Sequence, residues 1–268
     1  CLGHDVPVRP VQAVPLAENV LNFLVATRFV PIFSFMFGMS MGFVIDSAIR
    51  RGAPAWKILL RRLAALLVIG LLHSILYPGE ILRDYAVAGA ILLPFALKGP
   101  RSVRLVLGLL ATVGAYAFTG GGALSLPGLF LLGSAAQAYG LPARLEHADR
   151  RIGAATLIFT AASAAAIPWQ AAEGGDPRFF TAGGVAGGLM ACLYVCLLAL
   201  LWRTPVRRAL SAVFEPLGRM ALTCYVTASF VLVPAGVLLD SSPTHDVIPR
   251  LIVAAPVLPP QWAVPYHP

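Results

Sequence analysis

Residues 181–202, TAGGVAGGLMACLYVCLLALLW, pass through a full spanning length without one charged side chain. A helix needs about 20 such residues to cross the roughly 30 Å hydrocarbon core of a bilayer. Lipid gives the backbone no hydrogen-bond partner, so a run of this kind must satisfy its own N–H and C=O groups as a helix. The pattern recurs at about 29–48, 60–78, 81–98, 103–119, 124–140, 152–170 and 217–239. A weaker ninth candidate, about 247–260, holds Pro249, Pro256, Pro259 and Pro260, which oppose a helix. The expected fold is therefore all-α: a polytopic transmembrane helical bundle of about eight spans (7–9). Residues 1–27 read as an extracytoplasmic N-terminal segment, 28–240 as the bundle, and 241–268 as a Pro-rich C-terminal segment that includes a partial span.

Charge supports this reading. Only 12% of the 268 residues are charged, 58% are hydrophobic, and the mean hydropathy is +0.80. A soluble domain needs about a quarter charged residues to cover its surface. The net charge of +8 would suggest nucleic acid in a soluble chain, but here the basic residues sit in short clusters between apolar runs. Arg50, Arg51, Lys57, Arg61 and Arg62 form one cluster; Lys98, Arg101 and Arg104 a second; Arg144, Arg150 and Arg151 a third; Arg203, Arg207 and Arg208 a fourth. Every second connection is basic. The others carry Glu80 and Asp84, a glycine turn, Glu173 and Asp176, then Asp240 and Asp246. The positive-inside rule puts the basic loops in the cytoplasm, the N-terminal segment outside, and the lipid bilayer as the main partner. A nucleic-acid partner is excluded. A chain that starts outside implies that a preceding span, begun in the cytoplasm, is missing.

Cys1, Cys192, Cys196 and Cys224 form no CxxC pair, so no metal site is expected, and Cys192 and Cys196 read as packing residues on one helix face. Small residues four apart, Gly38 and Gly42, then Gly183, Gly184, Gly187 and Gly188, mark places where helix backbones approach.

The chemistry-bearing stretch is IGLLHSILYPGEILRDYAVAG, residues 69–89. His73 falls roughly 17 Å along a helix from Arg62, past the middle of the core. Pro78 and Gly79 end that helix, and the next starts near Glu80 or Ile81. Arg28, His73, Glu80, Arg83 and Asp84 then share one membrane depth. Helix capping accounts for Glu80 and Asp84, and snorkelling for Arg83. An ionisable group deep in the core, such as His73, is costly and marks function by default, although a packed neutral His is the competing reading. As a catalyst it would act as general base, with Glu80 holding its tautomer. A second cluster, PLGRMALTCYVTASF at 216–230, places Arg219 at the cytoplasmic start of the eighth span, where the helix dipole disfavours it. An anionic partner would explain it, and so would a positive-inside anchor.

Four blocks carry a family resemblance: RFVPIFSFMFGMSMG (28–42), RRLAALLVIGLLHSILYPGEILRDYAVAGAIL (61–92), PGLFLLGSAAQAYGL (127–141) and PLGRMALTCY (216–225). In that order they resemble the YeiB-type (DUF418) bacterial membrane proteins, grouped with the transmembrane acyltransferases. The resemblance points to Arg28, Phe29, His73, Gly79, Glu80, Tyr85, Gly89, Gly218, Arg219 and Tyr225. Glu80 stands where the family has Asp, and Cys224 where it has Asn. The family's opening helix and closing segment are not apparent, which raises the expectation of a truncated, inactive copy.

What the resemblance implies is a multi-pass protein of the bacterial inner membrane. It would move an acyl group from cytoplasmic acyl-CoA, as co-substrate, to an extracytoplasmic acceptor, with no bound cofactor. His73 and Glu80 would be catalytic; Arg28, Arg83, Asp84, Tyr85, Arg219 and Tyr225 would bind substrate or donor. A small-solute transporter is the alternative class, with a broken helix at YPGEI. Oligomeric state stays open.

Overall fold

The computed structural model describes residues 16–76, 80–147, 150–174, 177–178 and 180–240. The Pro78–Gly79 break, Asp176, Asp246 and the ninth candidate span lie outside the described residues. Within them the chain is helical, with no strand: α1 Leu16–Leu24, α2 Phe29–Arg50, α3 Ala55–Leu76, α4 Leu82–Lys98, α5 Arg101–Thr119, α6 Leu126–Ala138, α7 Leu141–His147, α8 Arg150–Glu173, α9 Thr181–Leu201, α10 Arg207–Arg219 and α11 Ala221–Asp240.

Five of these helices are long and apolar enough to cross a membrane: Val20–Arg50, Ala55–Ile75, Arg101–Thr119, Arg150–Glu173 and Thr181–Leu201. A sixth is reached if Gly122–Ala138 and Leu141–His147, bent by 71°, count as one span. The chain is an integral membrane protein. α11, the 217–239 candidate, is a further apolar helix of 20 residues; two other candidates differ from the sequence reading for local causes. The 81–98 candidate is a helix of 17 residues, flanked by Arg83 and Asp84 at one end and Lys98 at the other. The 124–140 candidate is bent rather than straight. At the other end of the chain, residues 16–24, read above as part of an external segment, are helical, and the first candidate span begins at Val20.

Helices alternate in direction, so the basic clusters of α2, α3, α4, α5, α8 and α9 gather at one end of the bundle. The start of α2, the end of α3 and the start of α4 lie at the other, far end. Close backbone approach holds the layers together, as the small residues predict. A Cβ on Gly38 of α2 would meet the backbone of Phe130 in α6, and one on Gly184 of α9 would meet the Gly120 carbonyl beyond α5. Phe37, Tyr85 and Phe130 then lock α2, α4 and α6. Phe37 stacks on Phe130 with centroids 4.8 Å apart and meets Tyr85 edge-on at 5.5 Å. Cys196 packs with Ile152 and Ala199, as expected of a packing residue.

Candidate functional site

His73 sits in the last turn of α3, at the far end. Gly70 lies one turn earlier and makes the site possible. A Cβ there would stand 2.7 Å from the Arg83 backbone nitrogen, so only glycine lets the start of α4 come this close. The approach brings Glu80 against the imidazole: one carboxylate oxygen, Oε2, meets His73 Nδ1, and both side chains are 1% exposed. The other oxygen, Oε1, accepts the Leu82 N–H at 2.6 Å, at the opening of α4.

Glu80 therefore does two things that the sequence presents as rivals. It closes an orphan donor at a helix start, where the dipole favours negative charge. It also fixes one nitrogen, Nδ1, of a buried imidazole. A carboxylate this deep needs both compensations, because an unpaired buried charge is severely destabilising. The ring of Tyr225, from α11, lies 5.4 Å from the His73 ring at 57°. Of the expected site residues, these three come together.

Arg28 shares their end of the bundle but points elsewhere. It is fully buried at the break between α1 and α2. Its Nη1 donates to the Ala26 carbonyl at 2.6 Å and the Thr27 hydroxyl at 2.9 Å; Nη2 donates to Gln170 Oε1 at 2.7 Å and approaches Met190 Sδ at 3.4 Å. All four partners are neutral, and Nε has no acceptor among the described residues. Thr27 takes φ +66°, a left-handed conformation rare for a β-branched residue. Gln170, Thr27 and Met190 were not legible as site residues. Gln170 alone carried a signal, as a lone amide within an apolar run.

Tyr85 belongs to the core. Its hydroxyl lies 2.7 Å from Ser34 Oγ and 3.4 Å from the Val30 carbonyl it donates to. Arg83 and Asp84 are outside the site, half-exposed and paired with each other at 3.3 Å. Arg219 corrects the sequence reading of the helix it belongs to. It ends α10, whose C-terminal dipole favours a cation, and Glu215 lies 4.0 Å away on the same helix. Tyr225 follows Arg219 by six residues, at most about 20 Å of chain, and it touches His73. The helix α10 itself, 13 residues rising about 18 Å, was read only as a basic loop. Among the described residues no three His, Cys, Asp or Glu side chains gather as a metal site would require.

The model of the family described as "Protein of unknown function (DUF418)" matches residues 138–264, which bears out the resemblance. An "Uncharacterized 39.9 kDa protein in amylase 3'region" of Bacillus acidopullulyticus is 29% identical over 238 residues, 82% of this chain and 68% of that protein. "Uncharacterized protein YxaH" of Bacillus subtilis (strain 168) is 35% identical over 90 residues, 33% of this chain and 22% of that one. No solved structure matches.

Proposed function

We propose that this DUF418-type membrane protein is an acyltransferase of the bacterial cytoplasmic membrane, with His73 as its general base and Glu80 as the group that orients it. The observation that carries the reading is the buried Nδ1–carboxylate contact. In the reaction, His73 Nε2 takes the proton of an acceptor hydroxyl or amine as that atom attacks the thioester carbonyl of acyl-CoA. The new ester or amide bond forms, the C–S bond breaks, and the CoA thiolate leaves and takes up the proton. Glu80 stabilises the imidazolium during transfer. Tyr225 flanks the ring, and Arg219, six residues before it, would hold an anionic group of donor or acceptor through its paired donors. With the basic loops in the cytoplasm, the acceptor side is extracytoplasmic.

The test is release of CoA thiol from acetyl-CoA and longer acyl-CoAs by the purified protein in detergent, with mass spectrometry for the acylated product. Release lost in His73→Ala supports the reading. Release that persists in that variant removes His73 from the chemistry.

The Arg28 break supports a second class. A discontinuous membrane helix beside a buried guanidinium is the arrangement transporters use for anionic solutes. Uptake of a carboxylate solute into proteoliposomes, without acyl-CoA and lost in Arg28→Gln, would favour it. Absence of such uptake beside active thiol release would end it.

A further inference from the structure

We propose that the groove between α2 and α3, at the basic end of the bundle, binds an anionic phospholipid, with its phosphate against Arg51 and Arg62 and one acyl chain lying along α2. The groove has a volume of about 340 Å³, inside the range of small-molecule sites, on the order of 300–1,000 Å³. Met36, Phe43 and Ile58 line its apolar length, and Arg51, at the end of α2, and Arg62, about two turns into α3, are the charged residues of its lining. Met36 is 56% and Phe43 49% exposed, so the groove opens toward lipid rather than into the core.

Its dimensions fit that occupant. Arg51 to Met36 is about 22 Å of helix, more than the roughly 15 Å of hydrocarbon in one leaflet. Ser47 stands one turn deeper than Arg51, where a lipid's ester oxygens meet its headgroup. Arg51 donates from Nε to the Ser47 carbonyl at 3.1 Å, which uses one of its five donors and holds the guanidinium at the groove mouth. No carboxylate lines the groove. The adjacent Asp46 turns to α6 and accepts from Gln137 Nε2 at 2.6 Å. Two guanidinium forks from two helices, facing one apolar channel, match a phosphate on a hydrocarbon chain. Arg62 and His73 are separated by about 17 Å of α3, so this site stands apart from the His73–Glu80 pair.

The experiment is native mass spectrometry of the protein released from nanodiscs of equal phosphatidylglycerol and phosphatidylcholine with matched acyl chains. Phosphatidylglycerol should be retained roughly tenfold over phosphatidylcholine, the ratio one charge-assisted contact gives. Arg51→Gln with Arg62→Gln should bring the two to parity. Lys98→Gln with Arg144→Gln removes the same charge elsewhere and should leave the preference intact. Ser40→Phe, which fills the groove and keeps both arginines, should also lower retention, so a misfolded double variant does not protect the idea. No preference in the unmodified protein would overturn the proposal. So would equal loss in the control pair, a preference that survives both groove changes, or displacement of the lipid by soluble palmitoyl-CoA.

Discussion

Gly70→Ala is the sharpest test of how the His73–Glu80 pair is built. The added Cβ would lie 2.7 Å from Arg83 N and 3.2 Å from Arg83 Cα and the Leu82 carbonyl carbon. Ordinary contact begins near 3.4 Å, so α3 and α4 must part by about 0.7 Å, and backbone atoms cannot swing aside as a side chain would. Overpacking of this kind costs about 1–3 kcal/mol. Against it, Ala exceeds Gly in helix propensity by about 1 kcal/mol. The net loss is thus up to about 2 kcal/mol, and Gly114→Ala isolates the steric part. Gly114 lies inside α5 with nothing within 4 Å of its missing Cβ, so that change should stabilise by up to about 1 kcal/mol. Thermal unfolding in one detergent, followed by tryptophan fluorescence, should place Gly70→Ala below Gly114→Ala. The gap should be roughly 2–12 °C, at about 2–4 °C per kcal/mol. If the two variants shift Tm alike, the close approach of α3 to α4 is wrong. In the active protein the same displacement, one turn from His73, should lower turnover; a misplacement near 1 Å can remove about 10²-fold.

Glu80→Gln keeps a carbonyl oxygen for the Leu82 N–H but presents an amide to His73, so thiol release should fall by up to roughly 10⁴ while folding is retained; unchanged release would make Glu80 a cap alone. Arg28→Met removes its bonds to Ala26 O, Thr27 Oγ1 and Gln170 Oε1 and orphans Gln170 Oε1, since Ala26 O keeps the Thr27 hydroxyl at 2.6 Å; each orphaned group costs about 1–3 kcal/mol, partly offset by the burial cost of the guanidinium. A net loss of about 1–3 kcal/mol is expected in thermal unfolding, and an unchanged Tm would show that the two terms cancel. Arg83→Ala with Asp84→Ala should leave stability within about 0.5 kcal/mol in the same unfolding assay, as an exposed pair contributes little; a large loss would refute their exclusion from the site. Phe130→Ala, at the contact of α2, α4 and α6, should cost about 3–5 kcal/mol, and a small effect in the same unfolding assay would mean the aromatic cluster is not the core.

The sequence exposed the parts of the fold that follow from local pattern. Apolar length reveals helices, because lipid leaves the backbone no other solution. Glycine spacing revealed the tight contacts at Gly38 and Gly184. His73 and Glu80 were legible because two ionisable groups on either side of a Pro-Gly break are brought to one level by chain geometry alone. What stayed hidden depends on distant chain. Arg28 bonds Gln170 and approaches Met190, 142 and 162 residues on, and no periodicity announces such partners. The helix α10 stayed hidden because RRALSAVFEPLGR combines a basic start with an internal Pro216, and its amphipathic spacing looks like a loop when only charge is read. That single omission made Arg219 read as the start of the last span rather than the end of α10.

The break at residues 25–28 bears on which reading of the protein survives. A continuous helix through Val20–Arg50 would satisfy its own backbone. Instead the freed carbonyls are met one by one: Asn22 O accepts from Gln170 Nε2 at 3.2 Å, Leu24 O from the Tyr194 hydroxyl at 2.9 Å, and Ala26 O from Arg28. Three side chains and a left-handed Thr27, costing about 1–3 kcal/mol, maintain an interruption that a few helix-forming residues would erase. In lipid each unmet group costs several kcal/mol, so the interruption and its partners stand or fall together. The His73–Glu80 pair is built by the opposite logic, with glycine bringing two intact helices together so that one carboxylate serves both cap and imidazole. Both arrangements set ionisable groups where lipid makes them costly. The chemistry should therefore be sought at the far end, where both lie, and thiol release and solute uptake measured on the same Arg28 and His73 variants would assign it to one of them.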